Sequence, residues 1–81
     1  MDLVILTPGK TVYEGTVTAV NTPGQDGKIE ILNNHAPIVA SLGEGEITVT
    51  TTAQEKLSFN TTGGFLEVLS NKISILLEAV K

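Results

Sequence analysis

The sequence predicts one small all-β domain spanning residues 1–81, a small antiparallel β-sandwich or flattened barrel. Two observations predict it: turn-forming residues recur at short, nearly regular intervals, and apolar residues between them alternate with polar ones at a period of two. A third is negative, because no segment sustains the 3.6-residue periodicity of a helix long enough to matter.

The turns are marked by Pro8-Gly9, Pro23-Gly24 with Asp26-Gly27, Asn33-Asn34, Gly43-Glu44-Gly45, Thr52-Ala53-Gln54, Gly63-Gly64 and Ser70-Asn71. Ahead of the first, Leu3-Val4-Ile5-Leu6 is uniformly apolar, which suits a strand near the centre of the packing with both faces covered. Ile29 and Ile31 then alternate with Lys28 and Glu30, Ile47 and Val49 with Glu46, Thr48 and Thr50, and Leu57 and Phe59 with Lys56, Ser58 and Asn60. Each of these segments has one dry face and one wet face. After Gly63-Gly64, whose simplest role is conformational, Leu66 and Val68 point to the core and Glu67 outward. Residues 73–77 are again apolar apart from Ser74 and form a second central strand, and the end of the 73–81 segment is expected to fray. Abundant threonine fits strands as well. Two antiparallel sheets packed face to face follow, each closing the core with its apolar side.

A chain of 81 residues buries only about 60–65% of its unfolded surface, which leaves no room for an enclosed substrate domain. There is no cysteine, so neither disulfides nor thiolate metal sites support the fold. The net charge is −4 and the five cations are lysines spread singly at Lys10, Lys28, Lys56, Lys72 and Lys81, which argues against nucleic acid and against direct binding to anionic lipid. No apolar run reaches the roughly 20 residues of a spanning helix, and the apolar segment at residues 3–6 is too short and wrongly flanked for a signal peptide. The cytosol is the expected compartment.

Little catalytic chemistry is legible. Nine acidic residues are scattered around a lone His35, which is no basis for a metal site, and no serine sits in a Gly-x-Ser-x-Gly elbow. Gly24-Gln25-Asp26-Gly27-Lys28-Ile29 fails as a phosphate loop: the glycines are too close, Ile29 replaces the required Ser or Thr, and no helix follows. Asn60-Thr61-Thr62 matches a glycosylation sequon that has no meaning without a secretory signal. The expectation is a chain with no catalytic residue, cofactor or metal.

Two stretches stand out. Asp26-Gly27 is a hairpin signal that presents Lys28 at the start of a strand, where it is a solvated lysine, a partner contact or a site of lipoyl attachment. In His35-Ala36-Pro37 the proline fixes the chain and forces Ala36 into an extended conformation, so His35 lies in a loop at one end of the sandwich, where partner contacts concentrate.

The run Gly27-Lys28-Ile29-Glu30-Ile31-Leu32-Asn33-Asn34-His35-Ala36-Pro37, followed by Gly63-Gly64-Phe65-Leu66-Glu67-Val68, resembles the N-terminal domain of the epsilon subunit of F-type ATP synthases. That family carries a Gly-x-x-Gly-Ile-x-Pro-x-His-Ala-Pro stretch and a later Gly-Gly-x-x-Glu-Val. Leu3-Val4-Ile5-Leu6-Thr7-Pro8 is similar to its opening strand, Val12-Tyr13-Glu14-Gly15 to its aromatic-x-Gly turn and Ile73-Ser74-Ile75-Leu76 to its closing strand. The resemblance covers the whole chain. It implies a non-catalytic subunit at the foot of the rotating central stalk, held by the γ subunit and touching the membrane-embedded c-ring, which couples proton translocation to ATP synthesis. Carried over by position, Thr7, His35, Ala36 and Ala40 would face γ, and Lys28 with its Asp26-Gly27 turn would approach the c-ring. Location would be peripheral, on the cytoplasmic face of the energy-coupling membrane, reached through protein partners, with no nucleotide bound.

Three positions depart from the family pattern: Glu30 stands where glycine is usual, Asn33 where proline is usual, and Lys28 where relatives are often acidic. The inhibitory C-terminal helices of relatives are expected to be absent, because the residues run out at Lys81 where the sandwich finishes. A second expectation, from a different class, is a lipoyl- or biotinyl-type carrier domain modified at Lys28, which predicts a mass increment on that residue. A generic adhesive or ligand-binding sandwich is the third.

Overall fold

Eight strands follow the turn signals in order: β1 (Asp2–Thr7), β2 (Lys10–Gly24), β3 (Gly27–Leu32), β4 (Ile38–Leu42), β5 (Gly45–Thr51), β6 (Lys56–Thr61), β7 (Gly64–Leu69) and β8 (Lys72–Leu77). They are seen in a computed structural model that describes residues 1–79, and no helix occurs among those residues. The frayed end expected after β8 falls partly on residues 80–81, outside the described residues.

β2 organises the two layers. Its first half pairs with β1, and its second half pairs with β3 on one side and β5 on the other. Register shifts set an extra β2 residue against each partner, Val12 between Tyr13 and Thr11 and Thr18 between Val17 and Ala19. Such bulges bend a strand and increase its twist, which lets one 15-residue strand cross from sheet to sheet. One layer, sheet I, runs β4, β7, β8, β1 and the first half of β2. The other, sheet II, runs β3, the second half of β2, β5 and β6. A single pairing of Gly24 with Leu42 joins β2 to β4 and closes the barrel.

The core lies between the layers. Leu3, Ile5, Leu66, Ile73, Ile75 and Leu77 of sheet I are buried with Val20, Ile31, Ile47 and Val49 of sheet II. Each such side chain contributes about 1.5–3 kcal/mol relative to exposure. Alternation therefore reads correctly along β5 and β7, and Leu66 and Val68 are buried while Glu67 is exposed, as expected.

Gly63-Gly64 has the conformational role expected of it. A Cβ on Gly64 would fall 2.2 Å from the Leu76 carbonyl oxygen and 3.0 Å from the Leu77 Cα, so β7 approaches β8 more closely than any side chain permits. Gly63 adopts φ +151°. Its N–H donates to the buried Thr61 hydroxyl at 3.1 Å, and that hydroxyl lies 3.0 Å from the Gly63 carbonyl oxygen and 3.2 Å from that of Ala79. One residue thus fixes the turn between β6 and β7 and the segment after β8.

Four sequence expectations need correction. First, β1 and β8 pair in parallel, unlike the antiparallel ladders elsewhere. They come from opposite ends of the chain, so no short hairpin constrains their direction. Second, residues 12–15 form no turn and lie inside β2, where Gly15 pairs with Leu3. A Cβ there would meet the Tyr13 hydroxyl at 2.8 Å, so the glycine makes room for the aromatic ring. Third, the tip of the β2–β3 hairpin is Gln25 and Asp26, between paired Gly24 and Gly27, and only Gly27 has positive φ. Fourth, β1 and β8 are central in sheet I but are not covered on both faces: Val4 and Leu6 are half-buried and Leu76 is exposed.

Candidate partner-binding surface

The uncovered side of sheet I is a largely apolar surface built by strand alternation. Since successive side chains point to opposite faces, burying Leu66, Val68, Ile73, Ile75 and Leu77 turns Phe65, Leu69 and Leu76 outward. The register then places them side by side: Ser41 opposite Phe65, Phe65 opposite Leu76, and Leu76 opposite Leu6. A second row runs Val39, Glu67, Ser74 and Val4. Val39 is 75% exposed, Phe65 59%, Leu69 55% and Leu76 50%. Phe65 and Leu76 are direct ladder partners, with Val39 one row on and Leu69 two, so the four share one face around Glu67 and make that face a candidate interface. The outer side of sheet II is instead Asn21, Thr48 and Ser58 across its middle row, with Glu30 and a single exposed large apolar residue, Leu32, at the β3 edge.

The two ends of the sandwich carry the residues singled out in the sequence. At one end the chain passes from β3 to β4 through residues 33–37. Asn34 takes φ 63°, a conformation that asparagine tolerates, and the His35 N–H donates to the Leu32 carbonyl at 3.2 Å to close the turn. The Asn34 N–H donates to Asn71 Oδ1 at 2.9 Å, tying the loop to the β7–β8 turn. His35 is half-buried, and its Nδ1 donates to the Ala36 carbonyl oxygen at 2.7 Å. Ala36 and Pro37 are exposed beside Val39 at the rim of the apolar face.

The opposite end holds the β1–β2 and β2–β3 turns. Thr7 is half-buried at the end of β1, next to Leu6 of the apolar face, and pairs with Lys10. The Gln25 N–H donates to the Ser41 carbonyl at 3.1 Å and the Gly43 N–H to the Pro23 carbonyl at 2.6 Å, which fixes the hairpin against β4. Asp26, Gly27 and Lys28 are exposed, and Lys28 is the second residue of β3, opposite Pro23. It therefore stands on a strand, one residue past the glycine, and not at the hairpin tip where a swinging carrier lysine would be displayed.

Thr7 and the pair His35 and Ala36 are thus not one cluster. They lie at opposite ends of sheet I, roughly a six-residue strand apart, or about 17 Å, and the apolar face spans the distance between them. Ala40 pairs with Leu66 on the inward register and is half-buried, so on β4 it is Val39 and Ser41 that meet solvent. Sequence reading missed Val39, Phe65, Leu69 and Leu76 as surface residues. For Leu76 the available signal was the uniform apolarity of β8, which demanded a cover on both sides, whereas Val39, Phe65 and Leu69 gave none before the strand register was known. Among the described residues no group of three or more His, Cys, Asp or Glu could hold a metal ion.

The family described as ATP synthase, Delta/Epsilon chain, beta-sandwich domain, matches residues 1–81. The chain belongs to that family. An ATP synthase epsilon chain of Chlorobium limicola is 41% identical over 78 residues, covering 96% of this chain and 89% of the relative. One from Salinibacter ruber is 36% identical, and one from Protochlamydia amoebophila 40%; this chain spans 57% and 54% of their lengths. Among solved structures, a chain of the Euglena gracilis mitochondrial ATP synthase assembly of OSCP, F1 and c-ring superposes with TM-score 0.92 at 20% identity, over 98% of this chain and 51% of that one. A chain of the Tetrahymena thermophila mitochondrial ATP synthase central stalk and c-ring gives 0.86, also at 20% identity, over 100% and 65%. These two likenesses show that the delta/epsilon sandwich is the fold present here. The family match names neither a carrier nor an adhesive domain.

Proposed function

We propose that this delta/epsilon sandwich is a non-catalytic central-stalk component of an F-type ATP synthase, docked on the γ subunit through the outer face of sheet I. The observation that carries the reading is the pair of apolar strands at the centre of that sheet. β1 and β8 are apolar on the side that faces the core and also present Val4, Leu6 and Leu76 on the side that faces solvent. A covering partner accounts for both. A standard interface takes about 800 Å² from each partner, which is roughly a sixth of this chain's 4675 Å².

Thr7 at one rim and His35 and Ala36 at the other would then border the γ contact, with Val39 supplying on β4 the surface expected of Ala40. The hairpin carrying Asp26, Gly27 and Lys28 projects from one end of the sandwich and would meet the c-ring. A rigid body held on γ by its flank and on the ring by its end transmits torque between the two without making or breaking a covalent bond. No helix among the described residues is long and apolar enough to cross a membrane, which fits attachment to the energy-coupling membrane, on its cytoplasmic side, through these partners. Nucleotide binding and inhibition of hydrolysis belong, in the resemblance, to helices outside this domain.

An affinity pull-down of the tagged chain from detergent-solubilised membranes of its own source, with mass spectrometry of bait and prey, tests the reading. Recovery of γ with the catalytic head and an unmodified bait is expected. Recovery of dehydrogenase or carboxylase subunits with a modified Lys28 overturns it.

A further inference from the structure

Glu67 stands in the middle of the apolar face. Across the ladders it is opposite Val39 on β4 and Ser74 on β8, and along β7 the same face presents Phe65 before it and Leu69 after it. Among the described residues its carboxylate takes part in no ion pair or hydrogen bond. The lysine nearest in register, Lys72, lies in the next row, opposite Leu69 and Asp2.

In the free chain this arrangement costs little, since water solvates the carboxylate. Covering the face changes that. A carboxylate enclosed by Val39, Phe65 and Leu69 loses its hydration, and an enclosed charge is tolerated only when a counter-charge and hydrogen bonds replace the water. The surface that covers sheet I must then be apolar around its edge and positively charged at one central point.

We propose that the γ surface that docks on sheet I carries a single cationic side chain surrounded by apolar ones, and that its pairing with Glu67 sets the register of docking. Arginine fits best, because its planar fork donates two parallel hydrogen bonds to a carboxylate and is more weakly hydrated than an ammonium. Apolar area supplies attraction without direction, whereas one buried ion pair rejects every displacement that separates the charges. The inference rests on the γ reading given above.

The test compares the unaltered chain with Glu67→Gln, Glu67→Met and Val39→Ser for binding to the γ-containing catalytic head of the same source, at low and high salt. Glu67 is exposed, so all chains fold alike, which thermal unfolding checks. Both Glu67 variants are expected to bind roughly 30-fold or more weakly, because each strands the partner's cation. Methionine is the discriminating substitution, since a wholly apolar partner surface would hold it more tightly than glutamate. Equal or tighter binding by Glu67→Met, with Val39→Ser still impaired, overturns the ion pair and leaves the docking reading intact. Failure of the folded, unaltered chain to bind overturns both.

Discussion

The side-chain Oδ1 of Asn71 accepts a hydrogen bond from the backbone N–H of Asn34 at 2.9 Å, joining the β7–β8 turn to the loop that carries His35. The Asn71 carbonyl also accepts the Asp2 N–H at 3.2 Å, so one turn residue ties the β3–β4 loop and the start of β1 to the same end of the sandwich.

Asn71 has φ 62° and follows Ser70 at φ 50°, the paired positive dihedrals of a tight hairpin turn. Asn71→Gly keeps that conformation and removes only the Oδ1 acceptor. The expected result is faster amide exchange at Asn34 and His35 with unchanged exchange at Val68, and a loss of about 1 kcal/mol or less in stability. Hydrogen exchange followed by NMR checks it.

Gly64→Ala is expected to be among the most damaging single changes in the chain. The added Cβ meets backbone atoms of Leu76 and Leu77, which cannot rotate away. A cost of about 3 kcal/mol or more follows from overpacking of this kind. Gly43→Ala is the control, because nothing lies closer than 3.7 Å to its Cβ position, and it should change stability by about 0.5 kcal/mol or less. Urea unfolding of the two variants measures the contrast.

The two faces of sheet I should separate stability from binding. Leu66→Ala removes a fully buried side chain and should cost about 2–5 kcal/mol. Val39→Ser and Phe65→Ser act on the open face and should leave stability within about 0.5 kcal/mol, while weakening association with the γ-containing head by about 1–2 kcal/mol each. Thermal unfolding and a binding titration on the same preparations read both effects.

Lys28 should carry no covalent group. The intact mass of the chain purified from its source is expected to equal that of the polypeptide. A lipoyl or biotinyl increment localised to Lys28 would contradict the stalk reading. Its place as the second residue of β3, paired with Pro23 and held beside β4 through the Gln25 bond to Ser41, is that of a fixed surface charge.

The wet and dry sides of β5 and β7 were legible because a period of two assigns each side chain to a face without knowledge of the neighbouring strand. The same rule is silent where both alternate sets are apolar. In β1 and β8 it implied two covered sides, and the chain supplies only one cover, so Val4 and Leu6 are left half-buried and Leu76 exposed. The sequence marked the ends of the sandwich, where Thr7 and His35-Ala36-Pro37 lie, through turns and a proline, while their assignment to a γ contact came from the family resemblance alone. The centre of the candidate site was not legible, because Val39, Phe65 and Leu69 read as ordinary strand residues until the register of β4, β7 and β8 set them side by side.

Local pattern alone therefore determined that this chain is all-β, where it turns, which residues enter the core of its alternating strands, and, through two motifs, which family it resembles. Tertiary structure decided the parallel meeting of β1 and β8, the passage of β2 across both sheets and the gathering of one open apolar face. The physical reason is that alternation and turn chemistry act within a few neighbouring residues. Which strands lie side by side, and what is left uncovered, depends on contacts between segments far apart in the chain.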